Sequence, residues 1–221
     1  MYRLLVRIVC VIIGYGFGLF QTAFIYGKMH GIDIRKHGSG NSGTTNALRV
    51  LGKKAGLITF IGDVFKAVVC SCFIKFLFQS DEKMIYIYVL YAGLGVVLGH
   101  NFPFYMNFRG GKGVAATGGV IIALGDARVT LIGFVLFFGL CIITRYVSLG
   151  SIVGVSSIMV STVLFNHVFN KPVYRWPTHR ENQIEAYILI MVFIVFVLIR
   201  HRENIKRLLN GTERKLGVKE A

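Results

Sequence analysis

The sequence predicts an all-α, polytopic membrane protein of about seven transmembrane helices, with re-entrant or surface loops on the cytoplasmic side. Three observations carry this prediction. Hydrophobic residues make up 54% of the 221 residues, and the mean hydropathy is +0.63, values a soluble domain rarely reaches. The apolar residues fall into seven runs: 4–26, 55–79, 84–101, 113–125, 130–147, 149–168 and 184–199. The basic residues sit mostly between and after those runs. A single integral membrane domain, 1–221, accounts for the chain, and little length is left for a sizeable soluble unit. The net charge of +15 therefore reads as topology and affinity for anionic lipid or substrate, not as nucleic-acid binding.

The first run, 4–26, follows Arg3 and Arg7 much as a signal peptide would, but no small-x-small cleavage site ends it, so it reads as a retained span. The second, 55–79, carries Asp63 and Lys66, three apart and on one helix face. A lone charge at the bilayer centre costs about 2.5–3.5 kcal/mol, so the two are expected to pair or to face a polar interior. The third run ends at His100, before Asn101-Phe102-Pro103; a lone histidine there reads first as a satisfied structural group. The fourth, 113–125, is shorter than the roughly 17–25 residues of a usual span.

Parity argues that this short run crosses. With seven crossings, loop 27–54, loop 102–112 and tail 200–221 share one side, which then holds most of the 25 Lys and Arg. The other side keeps Arg3, Arg7, Lys83, Arg128, Lys171, Arg175 and Arg180. The positive-inside rule puts the first side in the cytoplasm and the N-terminus outside. Arg145 and Ser148 fall at the inner end of the fifth run. The stretch 170–183, with Pro172, Trp176 and Pro177, reads as an outer loop, and 200–216 as a basic helix along the interface. The tetrapeptide His-Arg-Glu-Asn occurs at 179–182 and 201–204, on opposite sides of this topology. Cys10, Cys70, Cys72 and Cys141 lie in apolar runs and read as buried small hydrophobes; Cys70-Ser71-Cys72 has the wrong spacing for zinc. No metal and no cofactor is expected.

Two glycine loops at membrane edges carry the chemistry. The first runs Gly38-Ser39-Gly40-Asn41-Ser42-Gly43-Thr44-Thr45-Asn46, followed by Arg49. The second is Arg109-Gly110-Gly111-Lys112-Gly113. Glycines let successive backbone N–H groups converge on an anion, and a helix beginning just after adds positive dipole. Ser39, Asn41 and Thr45 add donors, Arg49 and Lys112 add charge. The second loop is not a Walker A loop, since Gly113 stands where Ser or Thr belongs, so nucleotide hydrolysis is not expected. In the tail, topology explains Arg200 and Arg202 but not His201 and Asn204, one helical step apart. Two cradles beside long apolar segments suggest phosphates carried by, or delivered to, a lipid.

Together these segments resemble the acyl-phosphate-dependent glycerol-3-phosphate acyltransferases of bacterial membranes. Gly38 to Arg49 match that family's G-S-x-N-x-G-x-T-N-x-x-R motif; Gly99-His100-Asn101-Phe102-Pro103 with Gly110–Gly113 match its second motif; His201–Leu208 match H-R-x-N-I-x-R-L. The similarity in span order covers almost the whole chain. Thr44 stands where alanine is frequent, and loop 170–183 is longer than in compact members. The resemblance implies transfer of an acyl group from a fatty acyl phosphate to the sn-1 hydroxyl of glycerol 3-phosphate, giving lysophosphatidic acid and inorganic phosphate, the first step of phospholipid synthesis. It assigns Ser39, Gly40, Asn41, Gly43, Thr45 and the N–H groups of Gly111, Lys112 and Gly113 to the acyl phosphate. It assigns Arg49, Lys112, His201 and Asn204, with Ser148 as helper, to glycerol 3-phosphate. Ser39, Lys112, His201 and Asn204 would be catalytic. It implies a bacterial plasma-membrane location and, as a partner, the enzyme that makes acyl phosphate. The proton of the attacking hydroxyl would go to a substrate phosphate oxygen or to His201.

Rival classes fit less well. A thioester-dependent membrane acyltransferase would carry H-x-x-x-x-D, which none of the six histidines begins. A transporter would gather its binding groups near the midplane and show repeats; here only Asp63 and Lys66 look intramembrane. A scaffold would leave the paired glycine loops without a role.

Overall fold

The computed structural model describes residues 2–217, and Lys219, counted above among the tail cations, lies outside them. The chain folds into helices in this order: α1 (Tyr2–Gly18), α2 (Thr22–Met29), α3 (Thr44–Leu51), α4 (Lys53–Leu77), α5 (Ile85–Asn101), α6 (Val114–Leu124), α7 (Ala127–Thr144), α8 (Val147–Val163), α9 (Arg180–Arg200) and α10 (Arg202–Leu209). Six spans among the described residues are long and apolar enough to cross a membrane, and α6 is a shorter apolar helix.

The first apolar run is a broken helix. α1 and α2 together make one span, Tyr2–Met29, interrupted at Leu19–Gln21. Carbonyls exposed by such a break must find partners inside lipid. Here Lys66 Nζ donates to Phe20 O (2.7 Å). Gln21 Nε2 donates to the carbonyls of Gly18, Gly99 and His100 (3.2, 3.2 and 3.0 Å).

α5 is the central helix. In its span 78% of residues are buried, against 11% for α7, which faces lipid. An apolar surface all round is what a helix surrounded by other helices requires. α6 runs antiparallel to α5: Gly113 lies against Val97 and Val120 against Gly93. At about 16 Å, α6 does not span a bilayer core alone. Its far end is completed by protein: Lys75 Nζ donates to Ala123 O, and the Tyr174 N–H donates to Asp126 Oδ2 at 2.9 Å. Arg128 donates to the carbonyls of Lys171 and Pro172 (3.1 and 3.0 Å). The loop expected outside thus folds up against α6 and α7.

Reversal at α6 sets which loops share an end. Arg7 pairs with Glu185 (2.5 Å) and Tyr91 donates to the same carboxylate (2.8 Å), so the N-terminus belongs to the end that holds 78–84 and 169–179. At the opposite end the Leu216 N–H reaches Arg145 O (2.8 Å), and the tail joins the second glycine loop through the Asn204–Lys112 bond.

Two expectations change. Cys10, Cys70 and Cys141 are buried, but Cys72 is exposed on α4; ten residues along the helix from Gly62's crossing with Thr22, this position is turned outward. The tail is not one interfacial helix over 200–216. α10 stops at Leu209, and the chain turns at Gly211 (φ +69°) and folds back toward α8.

Candidate active site

The first glycine loop is braced by one amide. Asn46, in the first turn of α3, accepts the Ser39 N–H on Oδ1 (2.8 Å) and donates through Nδ2 to Ile34 O and His37 O (3.1 and 3.0 Å). Gly38 has φ +59°, and any Cβ there would overlap Asn46 Oδ1. The loop is therefore a built structure and not a slack turn. Gly43, extended, caps the start of α3. The hydroxyls of Ser42 and Thr44 and the side-chain oxygen of Asn41 are buried without a hydrogen-bond partner among the described residues. Such atoms are costly to bury alone, and beside the N–H groups of a helix start they suit a ligand rich in hydrogen-bonding oxygen.

The second loop is clamped against α5. Gly110 N–H reaches Asn101 O (3.1 Å) and Gly111 N–H reaches His100 O (3.0 Å). From the other side Arg200 donates to Gly110 O (3.1 Å) and Gly111 O (2.8 Å). The backbone donors still directed outward are those of Lys112 and Gly113 and of the α6 first turn. The expectation that the N–H groups of 111–113 all serve an anion is narrowed accordingly, because the Gly111 donor is engaged.

Lys112 emerges from this clamp and donates to Asn204 Oδ1. Asn204 Nδ2 donates to Glu213 Oε1 (2.6 Å), which also accepts the Ser148 hydroxyl (2.8 Å). Arg207 Nε meets Glu213 Oε2 at 2.7 Å. His201, buried at the α9–α10 junction, sets its Nδ1 2.8 Å from Val197 O. That contact makes Nδ1 the protonated nitrogen and leaves Nε2 an acceptor.

Electrostatics follow from this crowding. Burial pushes the Lys112 ammonium down to about 8; Glu213 opposes the shift, while Arg207, Arg200 and Arg49 add to it. Arg49, exposed on α3, is thereby close enough for its charge to bear on Lys112. Burial, then the charge of Lys112, lowers His201 to about 4 against the opposing pull of Val197 O and Glu213, so the ring is neutral at physiological pH. Burial alone would raise the Glu213 carboxyl, but its bonds from Asn204, Ser148 and Arg207 hold it below the usual range.

An apolar groove lies between α4, α6, α7 and α8, lined by Phe60, Val114, Gly118, Gly133, Phe134 and Ser151 among others. Val114 directly follows Gly113, and Ser151 is one turn from Ser148 on the same face. The polar cluster therefore sits at the head of the groove.

Of the residues read from the sequence, Lys112, Ser148, His201 and Asn204 come together, with Arg49 at the edge. Ser39 and Gly40 are exposed, Asn41, Gly43 and Thr45 half-buried. Among the described residues the two loops share no direct hydrogen bond; the charge of Arg49 on α3 bears on Lys112. His179 caps the far end of α9, well away from His201. Sequence reasoning missed Glu213, Arg207 and Asn46. The tail glutamate had no signal in a run of cations, whereas Asn46 stood inside the matched motif without an assigned role.

Comparison with known proteins agrees with this geometry. Residues 8–211 match the family model for glycerol-3-phosphate acyltransferase. The chain is 40% identical over 218 residues to a glycerol-3-phosphate acyltransferase of Clostridioides difficile (strain 630), covering 96% of each chain. It is 38% identical over 211 residues to that of Bacillus subtilis (strain 168), covering 93% and 95%. Among solved structures it superposes on the glycerol 3-phosphate form of PlsY (YgiH), an integral membrane glycerol 3-phosphate acyltransferase, with TM-score 0.79, 34% identity and 96% of each chain covered. It superposes on the lysophosphatidic acid form with TM-score 0.77, at 34% identity and 96% and 95% coverage. A built polar cluster at the head of an apolar groove, and this extent of likeness, mean that the chain belongs to the glycerol-3-phosphate acyltransferase family.

Proposed function

We propose that this protein transfers the acyl group of a fatty acyl phosphate to the sn-1 hydroxyl of glycerol 3-phosphate, releasing lysophosphatidic acid and inorganic phosphate. The observation that carries the reading is the meeting of Asn204, Ser148 and Arg207 on one anionic group, Glu213, with Lys112 bonded to Asn204, at the head of the apolar groove. Donors that converge on carboxylate oxygens suit phosphate oxygens equally. The glycine loops supply two cradles for two phosphates, and the groove suits an acyl chain arriving sideways from the bilayer. Most of the positive charge lies at the same end, which supports a cytoplasmic site in a bacterial plasma membrane.

Ser39, Gly40, Asn41, Gly43 and Thr45, with the hydroxyls of Ser42 and Thr44, would hold the acyl phosphate with Lys112 and Gly113. Arg49, Lys112, Ser148, His201 and Asn204 would hold glycerol 3-phosphate. The sn-1 oxygen attacks the acyl carbon, the carbon–oxygen bond to phosphate breaks, and phosphate leaves with the electron pair. Rate enhancement comes from bringing two anions together and neutralising their charge. With His201 held near 4, it is a weaker base than a phosphate oxygen, whose second pKa is about 6. The hydroxyl proton therefore goes to a substrate phosphate oxygen, while His201 Nε2 orients the hydroxyl.

The test is stoichiometry in reconstituted protein. Phosphate release should require glycerol 3-phosphate and should match lysophosphatidic acid mole for mole. Release at the same rate without the acceptor would contradict acyl transfer.

A further inference from the structure

We infer that the buried Asp63–Lys66 ion pair is a positioning device for the second glycine loop, acting through the tautomer of His100. This rests on the reading of Lys112 as a ligand of substrate phosphate. Asp63, Lys66 and His100 are 2, 5 and 3% exposed, and lie on α4 and α5 directly beneath Gly110–Lys112.

The Lys66 ammonium has three donors and no acceptor. Its neighbours are Asp63 Oδ1 at 2.9 Å, Phe20 O at 2.7 Å and His100 Nδ1 at 2.8 Å. The two oxygens can only accept, and because the ammonium can only donate, His100 Nδ1 must accept as well: it carries no proton and the ring N–H sits on Nε2. The Nε2 edge of the ring faces Gly111: a Cβ at Gly111 would overlap Nε2, Cε1 and Cδ2. The imidazole is thus the floor of the loop, and the same residue's carbonyl holds the Gly111 N–H (3.0 Å). Asp63 is in turn fixed by Thr22 Oγ1 (3.3 Å). The chain of positioning runs from the ion pair to the ring, from the ring to Gly111, and from Gly111 to the Lys112 side chain. A break in α1–α2 needs a donor for Phe20 O, but an ion pair aimed at a histidine under the loop is more than that requirement explains.

The experiment uses the full chain in lipid nanodiscs, labelled with ¹⁵N-histidine, with His100 assigned by His100→Gln. Wild type should show His100 locked with Nδ1 unprotonated and Nε2 protonated. A protonated Nδ1 would overturn the inference without any substrate being present. The double variant Asp63→Asn/Lys66→Met removes both charges together; it should release the tautomer lock and raise the KM for glycerol 3-phosphate about tenfold or more, the scale expected of a displaced ligand. An unlocked tautomer with unchanged KM would also overturn it. His100→Gln keeps an N–H near Nε2 and should retain more affinity than His100→Asn, which does not; the reverse order contradicts the inference. If wild type transfers no acyl group to glycerol 3-phosphate, the proposed reaction fails, while the tautomer measurement still decides whether the ion pair sets the ring.

Discussion

Lys112 donates a hydrogen bond to the side-chain oxygen of Asn204, 92 residues further along the chain. This one bond joins the second glycine loop to the tail helix, next to Val114 at the head of the apolar groove. Everything the sequence marks as chemical lies on one side or the other of it. Glu213 closes the cluster from behind by accepting from Asn204, Ser148 and Arg207.

The buried ammonium of Lys112, held near 8, should set the alkaline limit of activity. A lysine is charged below its pKa and neutral above it, so the cation proposed to bind phosphate is lost as pH rises through about 8. Rate at low glycerol 3-phosphate should fall along that limb in wild type. In Lys112→Arg, whose cation persists at all accessible pH, residual activity should show no such limb. Lys112→Ala should lose on the order of 10²-fold or more in kcat/KM.

Glu213 supports that charge, since its carboxylate raises the Lys112 pKa that burial and three arginines lower. Glu213→Gln should therefore move the alkaline limb to lower pH and cut kcat/KM roughly tenfold through lost bracing of Asn204 and Ser148. The pH–rate profile of the variant checks the sign. A limb shifted upward would mean that Glu213 does not act on Lys112.

The two copies of His-Arg-Glu-Asn offer an internal control, because they occupy opposite ends of α9, which spans Arg180–Arg200. His179→Ala should retain near-normal acyl transfer, and His201→Ala should lose most of it, roughly 10²-fold. Equal losses measured in parallel would contradict the placement of the site.

Groove shape should govern acyl length. The nearest atom to a Cβ at Gly118 is Phe134 Cζ at 3.9 Å, and at Gly133 it is Gly154 O at 3.5 Å. A Cβ at either position therefore makes only ordinary van der Waals contact. Gly118→Leu and Gly133→Leu should each reduce palmitoyl over octanoyl transfer about tenfold, a few buried methylenes' worth of contact. Competition between the two donors gives the ratio directly, and an unchanged ratio would place the acyl chain elsewhere.

Much of this was legible in the residues. Hydropathy located every helix that packs in the membrane, including short α6, because apolar run length is a direct consequence of the bilayer. The glycine loops and the pair His201 and Asn204 were legible because their residue types have no topological purpose. Three features were not. The break at Leu19–Gln21 depends on Lys66 and Gln21 answering carbonyls from other helices, which no local pattern records. Glu213 is one acid among tail cations, and its role arises only when Gly211 turns the chain back toward Ser148. Asn46 acts within its own loop, so its bracing role needed the fold of Ile34 to Ser39 to be seen.

The measurement that bears most directly on the reaction is a choice of donor. Lipid-reconstituted protein would receive labelled glycerol 3-phosphate with palmitoyl phosphate in one sample and palmitoyl-CoA in another. Lysophosphatidic acid formed from palmitoyl phosphate alone is the expected outcome. Product from the thioester alone, or from neither donor, would contradict an acyl-phosphate transferase built on these two cradles.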